Sequence, residues 1–245
     1  MNLKGKLASL ALIIMILGIL PMSAETKTAQ FTRSFSKIEV YGGANVFYNV
    51  SNVSKPYMRI SGPSDKIKNL YFSVDGGKLK IGRKKTKYNN FENNILRGVT
   101  INVYAPAVYD MEVSSGANLT FNSSLPVPSK DIDVEVSSGA RVKLLTVNCR
   151  DLDLEASSAG TLNVSGVKTQ SLSIESSSAA KVVCNSINTE KISCDASSAA
   201  SITITGNAKY GEFDASSAGK IQAINFRCNK TTDSSSSTGG SIRFK

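Results

Sequence analysis

The chain runs to 245 residues, with 29 lysines and arginines against 19 aspartates and glutamates, four cysteines and no histidine. That length suits one elongated domain, and the lack of histidine removes the usual base of serine or cysteine catalysis. A net charge of +10 favours anionic partners, such as acidic polysaccharide or phospholipid headgroups, over neutral ones.

At the N-terminus Lys4 and Lys6 precede an uncharged apolar run from Leu7 to Leu20, followed by Pro21-Met22-Ser23-Ala24. Residues 1–24 therefore read as a secretory signal peptide cut after Ala24. Met22 is larger than the residue usual three places before the cut, so a site a few residues away, or a retained anchor, stays open. The run is short for a membrane span, which needs about 20 apolar residues, so no stable transmembrane segment is expected after cleavage. Export makes nucleic acid a poor partner. It places the protein in the periplasm, on the outer-membrane surface or outside the cell.

Residues 25–34 read as a loose polar leader and residues 35–111 as an N-terminal coil with an irregular capping segment. Ile38, Val40, Val46, Tyr48 and Val50 alternate with polar residues across Gly42-Gly43, giving two short strands around a corner. Tyr57 to Ile60 adds a strand, and Ser64 to Leu70 suggests a helical turn capped by Ser64. Leu70 to Val74 and Lys78 to Ile81 flank Asp75-Gly76-Gly77, a hairpin signal. The cap is expected to protect an edge that would otherwise invite aggregation. The densest basic run follows, with Arg83, Lys84, Lys85 and Lys87 beside Tyr88 and Phe91; it is a candidate anion-binding loop, or simply a solvated connection. Val99 to Tyr104 then leads into the regular part, residues 112–245.

One octet organises that part: acidic, small, Ser, Ser, small, small, variable, aliphatic, as in Glu155 to Leu162. It returns at Glu135, Glu175, Asp195 and Asp214, more loosely at Glu39 and Glu112, and in degenerate form at Ser235. A period of about 20 residues marks a solenoid. With the acidic residue as position 0, apolar residues fall at positions 7, 9, 12, 17 and 19, for example Leu162, Val164, Val167, Leu172 and Ile174. The two-residue spacings are strand periodicity. The fold expected is all-β, a single-stranded parallel β-helix (β-solenoid) of about eight coils, with aliphatic columns inside. The Ser, Ala and Gly at positions 1 to 5 suggest a bend too tight for large side chains.

Cys149 and Cys228 share position 14 but lie four coils apart, roughly 19 Å at the strand spacing and beyond disulfide reach. Cys184 and Cys194 occupy aliphatic slots of one coil, either as buried free thiols or as a bridge across the interior.

The strand entering each corner points positions 16, 18 and 0 outward. Asp131, Asp133 and Glu135 thus sit beside Asp151, Asp153 and Glu155, at about 4.8 Å between rungs. These six carboxylates repel one another unless cations lie among them, and they are candidates for calcium or a cationic partner. A hydrated acidic face is the simpler reading, since no Asp-Gly-rich calcium loop is present. Just past the corner the outward positions turn basic, with Arg141, Lys143, Lys181 and Lys220, and Arg243 beyond them. Opposite stripes flanking a serine-rich edge suit docking onto a glycan or an envelope protein, and also suit simple solubility. Paired carboxylates could perform acid and base chemistry on polysaccharide, but such sites need loops that wall a cleft, and these coils are of minimal length. No catalysis and no obligate cofactor are expected.

The corner sequences Val-Ser-Ser-Gly-Ala-Asn-Leu (113–119) and Val-Ser-Ser-Gly-Ala-Arg-Val (136–142), with the opening Phe-Ser-Lys-Ile-Glu-Val (35–40) and Gly-Ala-Asn-Val (43–46), resemble one family. It is the exported bacterial family labelled putative autotransporter adhesin, head GIN domain, common in Bacteroidetes. The likeness covers about residues 31–245 and implies a right-handed parallel β-helix on or outside the cell envelope, with no catalytic residues to carry over. Two features depart from it: Ala replaces Gly in the corners from Ala156 onward, and Thr231 to Ser237 forms a Ser/Thr-rich run.

Overall fold

The computed structural model describes residues 25–84 and 95–244. The expected signal segment, Lys85 and Lys87 lie outside them. The chain is a parallel β-solenoid of about seven turns; eight corner motifs delimit seven turns, and the last motif opens a coil carrying only one further strand. In chain order the elements are β1 (Glu25–Gln30), β2 (Lys37–Val40), β3 (Asn45–Val50), β4 (Tyr57–Gly62), α1 (Ser64–Ile67), β5 (Leu70–Asp75), β6 (Lys78–Arg83) and β7 (Thr100–Ala105). The regular coils hold β8 (Asp110–Val113), β9 (Asn118–Phe121), β10 (Leu125–Val127), β11 (Ile132–Val136), β12 (Arg141–Cys149) and β13 (Asp151–Ala156). From there β14 (Thr161–Ser176), β15 (Lys181–Ala196), β16 (Ser201–Ala215) and β17 (Lys220–Ser236) each wrap a whole coil, and β18 (Ser241–Phe244) follows.

The repeat register predicts the pairing at the corners and along most of each coil, with register shifts between Cys184 and Ile187, between Ile204 and Gly206 and between Gly211 and Glu212. Glu39, Glu112, Glu135, Glu155, Glu175, Asp195 and Asp214 stand in one column, which Ser235 continues. Like positions therefore stack on like, and Leu162, Val164, Val167, Leu172 and Ile174 are all buried in continuous interior columns. Burying each such side chain contributes roughly 1.5–3 kcal/mol, which offsets the ordering of a 20-residue coil that could not fold alone.

Backbone conformation, more than crowding, sets the corner composition. Positions 3 and 4 both have positive φ, as in Ser158 (49°) and Ala159 (60°) or Ser138 (53°) and Gly139 (68°). The Gly160 N–H donates to Ser157 O at 2.8 Å, and two left-handed residues inside such a bond make a type I′ turn. Between coils the Ala159 N–H donates to Ser178 O at 3.0 Å, and each neighbouring corner repeats the bond. Ser158 and Ala159 are exposed, so lack of space does not explain positions 3 and 4 of this corner, whereas position 5 is crowded. There a Cβ on Gly160 would meet Val136 O at 2.5 Å.

The N-terminal end is closed differently from the rest of the stack. The first coil is sandwiched, with β2 between β6 and β8 and β3 between β7 and β9. Antiparallel strands then cover the outer layer, β5 on β6 and β4 on β7, with β1 outermost on β4. Residues 25–34 are thus no loose leader: β1 lends six residues to the cap because Ala29 and Phe31 are buried. Helix α1 begins at Ser64 after Pro63, with no side-chain cap bond, so the expected Ser64 cap is replaced by the preset φ of proline.

Tyr48 is fully buried, stacks on Phe121 at 4.8 Å and donates its hydroxyl to Pro106 O at 2.5 Å. All four cysteines are free, with Cys149, Cys184 and Cys194 buried, so the 184 to 194 bridge is not formed. Burial pushes the Cys184 thiol up to about 12. The same cause, followed by nearby Asp151, raises Cys149 to about 12.

Candidate functional site

The acidic face is built by the strand entering each corner. Alternation turns Leu152 and Leu154 inward and Asp153 and Glu155 outward, and stacking aligns them with Asp133 and Glu135 on one side and with Ser173 and Glu175 on the other. Two shallow grooves follow the columns. One, of about 280 Å³, lies among Asp133, Glu135, Asp153, Glu155, Ser173 and Glu175. The other, of about 170 Å³, runs between the position-0 acids and Ser137, Ser157, Ser177 and Ser197.

Carboxylates packed rung on rung lose solvent and repel one another. Desolvation, then Asp133, holds Asp153 above the ordinary carboxylate range. Glu155 is raised by desolvation and then by Glu135 and Glu175, and Asp195 by desolvation and then Asp214.

Cations relieve this repulsion only at the margins. Toward the cap, Lys80 pairs with Glu39 at 2.9 Å, Lys37 with Asp110 at 2.5 Å, and Lys78 with Glu112. Arg150 engages the position-16 carboxylates, donating to both oxygens of Asp131 and lying 3.4 Å from Asp151. The six calcium candidates thus share one face as two rungs, with Asp131 and Asp151 engaged by arginine. No group of three or more His, Cys, Asp or Glu side chains among the described residues is placed to hold a metal ion.

Across the corner, register places Arg141, Thr161, Lys181, Ser201 and Lys220 in one row. Lys143 lies in the next row, at whose far end is Arg243. All five cations are exposed, and no ion pair among the described residues engages them. Arg83 and Lys84 stand apart: Arg83 packs its methylenes over the first corner, where a Cβ on Gly42 would meet Arg83 Cγ at 2.8 Å. The Lys84 N–H donates to Asn69 O.

The repeat gave no warning of a cluster on the cap. Tyr57 of β4 and Tyr104 of β7 stack at 4.8 Å and 15°, with the Arg59 guanidinium 5.8 Å and 5.9 Å from the two ring centroids. The signal was the Tyr-x-Arg alternation of residues 57–59, which matters only once β4 is known to lie antiparallel against β7. No helix among the described residues is long and apolar enough to cross a membrane.

Comparison with known proteins agrees with this architecture. Solved structures of similar fold include a putative adhesin from Bacteroides fragilis NCTC 9343, 17% identical, covering 90% of this chain and 97% of that one with a TM-score of 0.72. A putative adhesin from Parabacteroides merdae ATCC 43184 is also 17% identical, covering 91% and 96% with a TM-score of 0.70. A protein described as a putative lipid binding protein, from Parabacteroides distasonis ATCC 8503, is 17% identical, covering 91% and 96% with a TM-score of 0.72. At this identity the likeness is one of fold. No curated protein matches the chain. The family model described as "Putative auto-transporter adhesin, head GIN domain" matches residues 34–182 and 164–245. Those two matches span nearly all of the solenoid, and the chain belongs to that adhesin family rather than to an enzyme family.

Proposed function

We propose that the protein is an exported, adhesin-like binding module of the bacterial envelope or cell surface, with a glycan or an envelope protein as its ligand. The observation that carries this reading is the pair of long, oppositely charged faces that flank one small-residue edge. Fixed rungs at about 4.8 Å hold those charges in a rigid array, which suits recognition of an extended partner. Export rests on the apolar run of residues 7–20 after Lys4 and Lys6.

One observation favours a second reading. Asp133 and Asp153 face each other on adjacent rungs of the larger groove, and Asp153 is held above its ordinary range. Retaining glycosidases place two carboxylates about 5–5.5 Å apart, so polysaccharide cleavage is the enzymatic alternative. Glycan turnover lost on Asp133→Asn or Asp153→Asn would establish it.

The test applies the full chain to a broad glycan array, to whole bacterial cells and to envelope fractions, with and without calcium. Saturable binding to any of them supports the adhesive reading. Calcium-dependent binding that weakens in Asp151→Asn/Asp153→Asn would place the contact on the acidic face. Blank results on all three would overturn adhesion and leave a structural scaffold without a ligand of its own.

A further inference from the structure

The sheet that follows the corner is continuous from the cap to the last coil. Its strands run β1, β4, β7, β3, β9, β12, β14, β15, β16, β17 and β18. Ten steps of about 4.8 Å make a face roughly 48 Å long. Along it, in the cap strands, β9, β18 and the stretches of the coil strands just past the corner (residues 141–145, 161–165, 181–185, 201–205 and 220–224), the outward positions hold no aspartate or glutamate; Glu25 at the edge of β1 pairs with Lys27. These outward positions carry Arg59, Arg141, Lys143, Lys181, Lys220 and Arg243, all exposed, and no ion pair among the described residues engages any of them.

Register gives this face an internal order. Arg141, Lys181 and Lys220 recur on every second strand, at intervals of about 9.6 Å, with the hydroxyls of Thr161 and Ser201 between them. Toward the cap, planar amides and aromatic rings replace the cations. Asn49 and Tyr104 share a row with Tyr57, and Phe47 and Asn102 share the next with Arg59. The Asn122 side-chain amide donates to Asn49 Oδ1 at 3.2 Å.

We propose that this face binds an extended acidic polysaccharide, the chain lying along the solenoid axis with its carboxylates over the cation row and a sugar against Tyr57, Tyr104 and Arg59. This rests on the adhesive reading and deepens it. Charge complementarity requires an anionic ligand, because six free cations with no carboxylate among them repel one another. The half-buried hydroxyl and amide rows suit sugar hydroxyls, and aromatic rings give a sugar an apolar surface beside polar groups. An anionic membrane is the less suited ligand, since the exposed large apolar side chains among the described residues of this face are two, Ile224 and Phe244, both at its C-terminal end.

The experiment measures binding of the full chain to polygalacturonate, to its methyl ester and to phosphatidylglycerol vesicles. Binding to polygalacturonate is expected, falling as salt rises and about tenfold weaker for the ester. Arg141→Ala/Lys181→Ala/Lys220→Ala is expected to weaken it about tenfold. The control Lys168→Ala/Lys209→Ala/Arg227→Ala removes equal charge from the remaining side of the coils, where Lys168 and Arg227 share one row and Lys209 pairs with Glu190, and is expected to leave affinity within about twofold. Tyr57→Ala/Tyr104→Ala, checked for an unchanged melting temperature, is expected to lower affinity at high salt without changing the salt dependence. Equal loss in both charge triples, equal binding of the ester, or binding to vesicles alone overturns the proposal. Cells bound normally by both triples would leave adhesion standing and sink this face as its site. Binding to neither cells nor glycans would sink both.

Discussion

Gly139 and Ala159 occupy the same place in successive corners, with φ of 68° and 60°, and exchanging their residue types isolates the cost of that conformation. A Cβ built on Gly139 meets nothing within 4 Å, so Gly139→Ala introduces strain without a clash. A non-glycine residue in the left-handed region costs about 1–2 kcal/mol. Losing glycine's extra freedom in the unfolded chain returns about 0.5–1 kcal/mol. Gly139→Ala should therefore destabilise by about 0.5–1 kcal/mol, and Ala159→Gly should stabilise by about as much. For a chain of this size that is a shift of about 1–4 °C in melting temperature, read by far-UV circular dichroism. Combining Ala159→Gly, Ala179→Gly, Ala199→Gly and Ala218→Gly should raise stability further, short of additivity because neighbouring corners share hydrogen bonds. A destabilised Ala159→Gly, or a Gly139→Ala with an unchanged or raised midpoint, would refute the turn assignment.

Three further outcomes follow from the packing. Asp153, Glu155 and Asp195 are raised in the folded chain, so the native state holds more protons than the unfolded state just above the usual carboxylate range. Their contribution to stability therefore grows as pH falls from 7 toward about 5; melting curves should show it, and the gain should shrink in Asp153→Asn/Glu155→Gln. Among the thiols Cys149, Cys184 and Cys194 are buried and Cys228 is half-exposed, so a thiol reagent should label Cys228 first and the others only on unfolding; labelling of Cys184 in the native protein would contradict the packing. Phe213 is 1% exposed and meets Phe226 and Phe244 edge-to-face at 6.3 Å and 5.2 Å. Phe213→Ala should cost about 3–5 kcal/mol, and hydrogen exchange should show the C-terminal coils opening first.

The repeat made the coils legible because one register constrains every strand at once. Once Glu135, Glu155 and Glu175 are aligned, Leu162 and Val164 can only point inward, and Arg141 and Lys181 only outward. The cap escaped this logic. Residues 25–30 are polar enough to read as a leader, and their strand character comes from pairing with β4, 27 or more residues away in the chain. The Tyr57–Tyr104 stack was hidden for the same reason, since it exists only across an antiparallel contact outside the repeat. At the corners composition was visible but its cause was not: small residues suggested crowding, whereas positive φ at two successive positions is what large or branched side chains resist.

The most direct test of the two-face account is equilibrium binding of acidic polysaccharide to two variants altered on opposite sides of the serine-rich edge. Arg141→Gln/Lys181→Gln/Lys220→Gln should lose most of the affinity. Glu135→Gln/Glu155→Gln/Glu175→Gln should keep it or bind more tightly, because the nearby negative column no longer repels the ligand. Loss confined to the second variant would contradict the account and move the binding surface to the acidic groove.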